Sequence, residues 1–276
     1  MLNAQQWAML STTLRLTAAA ERDKRDACDS TALLDTDYCR RLLDQLTPAL
    51  LSPSRKITAS LLSKRIAFLT TASSLYAMSV YNKGLNMALD NCVLEYGHRQ
   101  QWISTMPLYD LSVSQPAAGQ REAWRRRQFA TLFGSHLSPL LQALAAASDA
   151  PLRILWENTA VRVFSLYEQR IKLDDPAAEC SPGITLAQQV RQDFDALLEA
   201  PGDLFNCDDN PLKPFYRPKT RVPVLNHPVP GAEGIRFKEV RFRRTCCFYY
   251  KASRPQEYCS TCPLLRPRKG PRETGK

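Results

Sequence analysis

The sequence predicts an α+β protein, mainly α-helical, with a small β-hairpin element and a compact C-terminal lobe built on cysteines. Three observations carry that prediction. Apolar residues recur at spacings of three and four over most of the first 200 positions. A stretch dense in Pro, Gly, Asn and Asp then interrupts the pattern from residue 201. Beyond it, four of the nine cysteines crowd into RTCCFYYKASRPQEYCSTCPLL. With 276 residues, 44% of them hydrophobic, the chain is long enough to bury a substantial core.

Helical spacing is present over residues 4–20 and 31–47. Pro53 ends the second of these patterns, because the residue before a proline is steered away from helix. From Ser54 to Asn82 a long helix is expected, with Ile57, Leu61, Leu62, Phe68, Leu69, Ala72, Leu75 and Tyr76 on a broad apolar face and Gly84 placed to stop it. Its most apolar part, IAFLTTASSLYAMSVY, is shorter than a membrane span and rich in Ser and Thr, so it reads as a buried helix. Residues 90–113 carry β-favouring runs on either side of Gly97-His98, which predicts a hairpin there. Helical patterns return in REAWRRRQFATLF, LSPLLQALAAAS, LRILWENTAVRVFSLYEQRI and TLAQQVRQDFDALLEA. After the loop that starts at residue 201, IRFKEVRFRR reads as a strand whose apolar phase slips, with a bulge expected near Lys238-Glu239. That strand leads to Cys246. The chain therefore divides into a helical body over 1–230, a cysteine lobe over 231–265 and a disordered basic tail over 266–276.

A formal charge of +10 and a pI near 9.3 suit an anionic partner, whether nucleic acid, membrane surface, acidic protein or small anion; a merely solvated basic surface is the plainer explanation. The N-terminal residues lack the basic start and continuous apolar core of a secretory signal, so cysteines in a reducing compartment are expected to be free, catalytic or metal-bound. GPRETGK at the C-terminus matches half of a phosphate-binding loop but has no following Ser or Thr and no helix. His98, His136 and His227 lie in unrelated contexts, and His136 suits a structural role. Cys28, Cys39, Cys92, Cys180 and Cys207 read as reduced structural residues, with Cys92 a small core side chain.

Cys246, Cys247, Cys259 and Cys262 remain. A disulfide between adjacent cysteines is strained and leaves the other two unexplained. Zinc needs four thiolates about one ion; Cys259-Ser-Thr-Cys262 supplies one knuckle, but Cys246 and Cys247 project to opposite sides of an extended segment. A [2Fe–2S] cluster spreads its four ligands over two irons and relaxes that demand. Spacing thus favours iron–sulfur and leaves zinc open.

The stretch RRTCCFYYKASRPQEYCSTCPL resembles the C-terminal signature of the FhuF-like ferric siderophore reductases, C-C-x10-C-x2-C; this chain has eleven residues in the longer gap, which alters the loop rather than the ligand set. LWENT at 155–159 and DNPL at 209–212 are similar to further segments of that family. The resemblance implies a [2Fe–2S] cluster ligated by Cys246, Cys247, Cys259 and Cys262, in an oxidoreductase that passes one electron to a ferric siderophore, for example of hydroxamate type, and so releases Fe(II) in the cytoplasm. It also implies an electron donor such as a ferredoxin, a flavoprotein or an NAD(P)H-dependent reductase, with peripheral contact at the inner membrane face. Lys238, Arg241, Arg243, Arg244, Lys251 and Arg254 are candidates to tune the cluster, and Phe248, Tyr249, Tyr250 and Tyr258 to cover it. Two other classes stay in view. One is a zinc-stabilised nucleic-acid-binding or interaction module, although no standard nucleic-acid motif occurs; the other is a [2Fe–2S] electron carrier or redox sensor without its own substrate.

Overall fold

The structure, a computed structural model, describes residues 1–223 and 237–267. His227, the start of the expected C-terminal strand and most of the basic tail fall outside those residues.

Seven α-helices are present among them: α1 (Ala4–Thr12), α2 (Thr36–Ala49), α3 (Arg55–Tyr81), α4 (Arg121–Phe129), α5 (Ser138–Ser148), α6 (Leu152–Ser165) and α7 (Leu186–Leu198). Helix α3 is the axis of the fold. It is 27 residues long and buried on nearly every side, which is why its apolar residues form no single stripe. Its Ser and Thr side chains survive there by bonding back to carbonyls one turn earlier, as Thr70 does to Ile66, Thr71 to Ala67 and Ser74 to Thr70. Among the described residues no helix is long and apolar enough to cross a membrane. Asn82 ends α3 in a left-handed conformation (φ 50°), two residues before the glycine expected to do so. Helix α6 lies along α3, and α2, α5 and α7 complete the surrounding layer. Helices α4 and α5 are joined by a π-helical stretch, Ala130–Leu137, and a second one, Leu166–Arg170, continues α6.

The sheets are small and two-stranded. Strands β1 (Leu16–Ala18), β2 (Ala27–Asp29), β3 (Gly84–Leu85), β4 (Val93–Glu95), β5 (His98–Arg99), β6 (Gln101–Trp102), β7 (Met106–Leu108), β8 (Val113–Ser114), β9 (Thr220–Pro223) and β10 (Phe237–Val240) account for them. The helical pattern over residues 4–20 breaks at Thr12: Ser11 and Thr12 turn their hydroxyls to the Ala8 carbonyl, Arg15 takes a positive φ of 68°, and Leu16–Ala18 pairs in parallel with β7. Between residues 90 and 113 a hairpin does form, but it is β5 with β6 turning at Gln100 (φ 62°) rather than at Gly97-His98. The longer apolar runs on either side pair instead with the N-terminal strands, β4 with β2 and β7 with β1. Non-local pairing of this kind leaves no trace in local periodicity. Strand β10 pairs in unbroken antiparallel register with β9, Phe237 opposite Pro223 through Val240 opposite Thr220, so the expected bulge at Lys238-Glu239 is absent. Phe237 tolerates the slipped phase because it is exposed and lies under the Arg221 guanidinium, 4.1 Å from its ring centre.

Candidate metal centre

Past Val240 the described chain has only two short 3-10 turns, Tyr249–Lys251 and Pro263–Leu265, and buried polar groups of α6 hold it in place. Glu157 and Asn158, each 1% exposed, project from that helix. The Glu157 carboxylate accepts the backbone N–H of Arg244 at 2.5 Å and that of Thr245 at 2.8 Å, and also takes the Thr245 hydroxyl. Asn158 Oδ1 accepts from the buried Arg243 guanidinium at 2.7 Å, while its amide nitrogen donates to the Ser60 carbonyl and the Ser63 hydroxyl on α3. Both acidic and amide residues belong to the LWENT segment. Asn210, from DNPL, closes the C-terminus of α7 by donating to the Leu197 carbonyl at 2.8 Å.

This anchoring sets the four cysteines. The Ser60 hydroxyl donates to the Cys247 carbonyl at 3.0 Å. Phe248 then takes a left-handed conformation (φ 62°) and turns its N–H back onto Cys246 Sγ at 3.3 Å. Cys259–Cys262 forms the expected knuckle, closed by the Cys262 N–H on the Cys259 carbonyl (2.9 Å), and it is tied to the first pair by the Arg243 N–H on the Thr261 carbonyl (2.9 Å). Cys247 and Cys262 are buried, Cys246 and Cys259 half-buried. Cys247 Sγ lies 3.7 Å from Cys259 Sγ. Two thiolates on one tetrahedral ion at about 2.3 Å would be separated by about 3.8 Å. Among the described residues no group of three or more His, Cys, Asp or Glu is set to hold one metal ion. The structure thus brings one pair of the four candidate thiols, Cys247 and Cys259, to a tetrahedral edge, an all-sulfur pair that suits a thiolate-ligated cluster, and does not assemble all four around one point.

Charge at the site comes mainly from the body. Lys64 Nζ, on α3, is 3.6 Å from Cys247 Sγ. Hydrogen bonding from the Cys259 thiol, helped by Lys64 and Arg243 and opposed by burial, holds the Cys247 thiol well below its usual range. The same bond, with burial, pushes Cys259 up. Burial pulls Lys64 down while the Cys247 thiolate pushes it up, and burial also lowers Arg162 on α6. Of the cations near the ligands in sequence, Arg241 is paired with Glu168 and stacked 4.1 Å over the Tyr216 ring, and Arg243 belongs to the anchor. Tyr249 lies beneath Lys64 (5.3 Å to its ring centre), whereas Tyr250 and Tyr258 stack on each other. Lys64, Arg65 and Arg162 lie far from the cysteines in sequence and are brought to them only by the fold. The sequence signal for the first two is a Lys-Arg pair about a third of the way along an otherwise largely buried helix, which is rare without a role.

Lys64, Arg162 and Cys259 also line an open cavity of about 350 Å³, with Arg65, Arg170, Phe68, Trp102 and Tyr249. The remaining cysteines lie elsewhere: Cys39 and Cys92 are buried, Cys28 and Cys207 half-buried, Cys180 exposed, and all are free thiols. His136 is buried with Nδ1 2.9 Å from the Met87 carbonyl, the structural role expected of it.

A family model described as ferric iron reductase FhuF-like transporter matches residues 60–217, more than half of the chain, and a second, described as FhuF 2Fe-2S C-terminal domain, matches residues 243–264. The second match indicates a [2Fe–2S] cluster. The two matched segments meet at this site, through Ser60 with Cys247, Glu157 with Thr245 and Asn158 with Arg243. No curated protein matches the chain.

Proposed function

Because the chain belongs to the FhuF-like ferric iron reductase family, we propose that it is a ferric siderophore reductase in which Cys246, Cys247, Cys259 and Cys262 hold a [2Fe–2S] cluster. A bound cluster of this type supplies one electron at a time. Fe(III) in its hard-oxygen chelate gains that electron, becomes Fe(II), and is then held far more weakly. The observation that carries the reading is the position of Cys259, which is both a member of the thiol group and part of the wall of an open cavity. A chelate in that cavity would be in contact with the protein at the ligand sphere.

Each residue has a separate task. Glu157, Asn158 and Ser60 fix the ligand segment from its buried side. The Phe248 N–H and Lys64 offer hydrogen bonds to sulfur, which stabilise negative charge there and favour electron uptake. Trp102 and Tyr249 form apolar parts of the cavity wall and limit water near Cys259. The electron would come from a ferredoxin, a flavoprotein or an NAD(P)H-dependent reductase in the cytoplasm, at or near the inner membrane face.

The test is anaerobic purification, absorption and electron paramagnetic resonance spectra before and after dithionite, and then addition of a neutral and an anionic ferric chelate with a ferrous-specific trap. A coloured protein whose reduced S = 1/2 signal disappears on adding either chelate, with trapped Fe(II) appearing in equal amount, is the expected result. A cluster that neither chelate re-oxidises would leave a carrier or sensor. A colourless protein with stoichiometric zinc would refute the proposal.

A further inference from the structure

The cavity beside Cys259 holds more positive charge than the thiols account for. Elsewhere in the described residues, several buried and half-buried cations meet carboxylates: Arg121 and Arg125 share Asp193, Lys219 and Arg241 share Glu168, and Lys83 meets Glu179. Lys64, Arg65, Arg162 and Arg170 form no ion pair with any described carboxylate, and none lines this cavity; Glu168 and Glu239 line the adjoining cavity that Lys64, Arg162 and Arg170 also border, but Glu168 is already shared by Lys219 and Arg241 and Glu239 pairs with none of the four. Glu95, whose field reaches Arg65, is already occupied by the N–H groups of Asp23 and Thr105 and by the Thr105 hydroxyl. Three guanidiniums stand around one ring, with Arg65 5.3 Å, Arg170 5.5 Å and Arg162 6.0 Å from the centre of Phe68. Arg162 Nε is buried with no hydrogen-bond partner among the described residues. Like charges gathered without counter-charge destabilise a fold, so an anion is the natural complement of this cavity.

Four cations do not serve the thiols equally. Lys64 touches Cys247, and the fields of Cys247 and Cys259 reach Arg162. Arg65 makes no described hydrogen bond to a cysteine; its guanidinium donates to the Ser104 hydroxyl at 2.7 Å and to the Ser104 carbonyl, neutral partners that fix its position and leave its charge in place. Arg170 stands exposed at the end of the π-helical turn beyond α6. Arg65 and Arg170 therefore present positive charge to whatever enters. A volume near 350 Å³ is in the range of small-ligand sites and too small for a macromolecular segment of any length.

Resting on the reductase reading, we infer that this cavity selects ferric chelates of net negative charge, with aromatic donor groups accommodated against Phe68 and Trp102. Three hydroxamates cancel the charge of Fe(III) and leave a neutral complex, whereas catecholate donors are dianionic and leave it strongly negative. Guanidinium groups both attract the negative chelate and stack on its aryl rings. Reduction adds one further negative charge, so the same cations stabilise the ferrous product more than the ferric reactant.

Gallium(III) replaces iron to separate binding from electron transfer. The full-length, cluster-loaded protein is titrated anaerobically with a hexadentate Ga(III) tris-catecholamide and with a neutral hexadentate Ga(III) tris-hydroxamate, by calorimetry, at low and high NaCl. The anionic complex should bind at least about tenfold tighter at low salt, and the advantage should shrink as salt rises. Arg170→Gln should weaken the anionic complex by about tenfold, leave the neutral one unchanged and preserve the visible spectrum of the cluster; Arg65→Gln, which also removes the bonds to Ser104, should weaken the anionic complex by about tenfold more than it weakens the neutral one. Equal affinities, a preference for the neutral complex, binding of neither, or indifference of the anionic complex to both variants would overturn the inference. If charge selection appears but no ferric chelate is reduced, the inference stands and the reductase reading fails; reduction without charge selection does the reverse.

Discussion

Glu157→Gln tests whether α6 holds the ligand segment in place. The change keeps shape and removes charge. In the native chain Oε1 accepts the Arg244 N–H, and Oε2 accepts both the Thr245 N–H and its hydroxyl, with Arg243 Nη2 at 3.8 Å. A glutamine retains one acceptor oxygen; with that oxygen aimed at Thr245 its NH₂ group faces the Arg244 N–H, so one bond is lost, a donor faces a donor, and the two remaining bonds lose their charge assistance. A charge-assisted hydrogen bond contributes about 1.5–3 kcal/mol. Arg243 also loses its counter-charge but keeps Asn158 at 2.7 Å and the Thr245 carbonyl at 3.2 Å, so the full cost of an orphaned buried charge does not apply. The sum is about 3 kcal/mol, released locally as easier detachment of the lobe. Hydrogen exchange on the cluster-free chain, where metal ligation cannot mask the effect, should show the amides of Arg243, Arg244 and Thr245 exchanging about 100-fold faster, with the α3 amides of Leu69 and Ala72 unchanged. Unchanged protection at Arg244 and Thr245 would refute the anchoring argument. Uniform acceleration that includes α3 would refute the claim that the effect is local.

Cys247→Ser should abolish the visible absorption of anaerobically purified protein while Cys207→Ser, in the half-buried loop cysteine, leaves it intact; equal spectra for the two variants would remove Cys247 from the ligand set. Lys64→Met should lower the midpoint potential by roughly 60–120 mV, the equivalent of about 1.4–3 kcal/mol for one charge beside a one-electron centre, and a potential unmoved in a spectroelectrochemical titration would contradict a tuning role. Burial pulls His136 down to about 4, against a lesser upward effect of its Met87 bond. Its folded-state pKa is thus below the unfolded value, so its contribution is complete above pH 6.5 and is lost as pH falls toward 4, roughly 2 kcal/mol by pH 5. Urea midpoints at pH 7 and pH 5 should differ less in His136→Gln than in the native chain, and an identical pH dependence in both would exclude His136 as its source.

The four candidate ligands and the long central helix could be read from sequence because each depends on residues close together along the chain. Cysteine spacing is a local property, and so is the apolar density of residues 55–81. What could not be read is whatever depends on a partner far away. Val93–Glu95 has the composition of a strand, but nothing local says that its partner is Ala27–Asp29. The helical spacing at residues 13–20 is equally compatible with the strand that β7 requires there. The basic residues nearest the cysteines in sequence were the natural candidates for tuning them, yet Arg241 is committed to Glu168 and the close cation is Lys64, 183 residues before Cys247.

Lys64 and the anchor are two parts of one arrangement on α3 and α6. Ser60, Ser63 and Lys64 stand one turn apart on α3, and Asn158 and Arg162 one turn apart on α6. Asn158 ties the first two serines to Arg243, and Lys64 and Arg162 carry the polar seam out to the cavity. A seam of this kind weakens the core, since apolar residues of similar size at Ser63 and Lys64 would pack α3 against α6 without desolvating charge. Its geometry, however, fixes two things that apolar packing cannot: the direction in which Cys247 enters the body, through Ser60, and the sign of the field it meets there, through Lys64. A protein that only needed to fasten its C-terminal segment would not need the second. Positive charge retained at the thiols and continued along the cavity wall is therefore better explained by electron uptake and anion binding at one place than by stability of the fold.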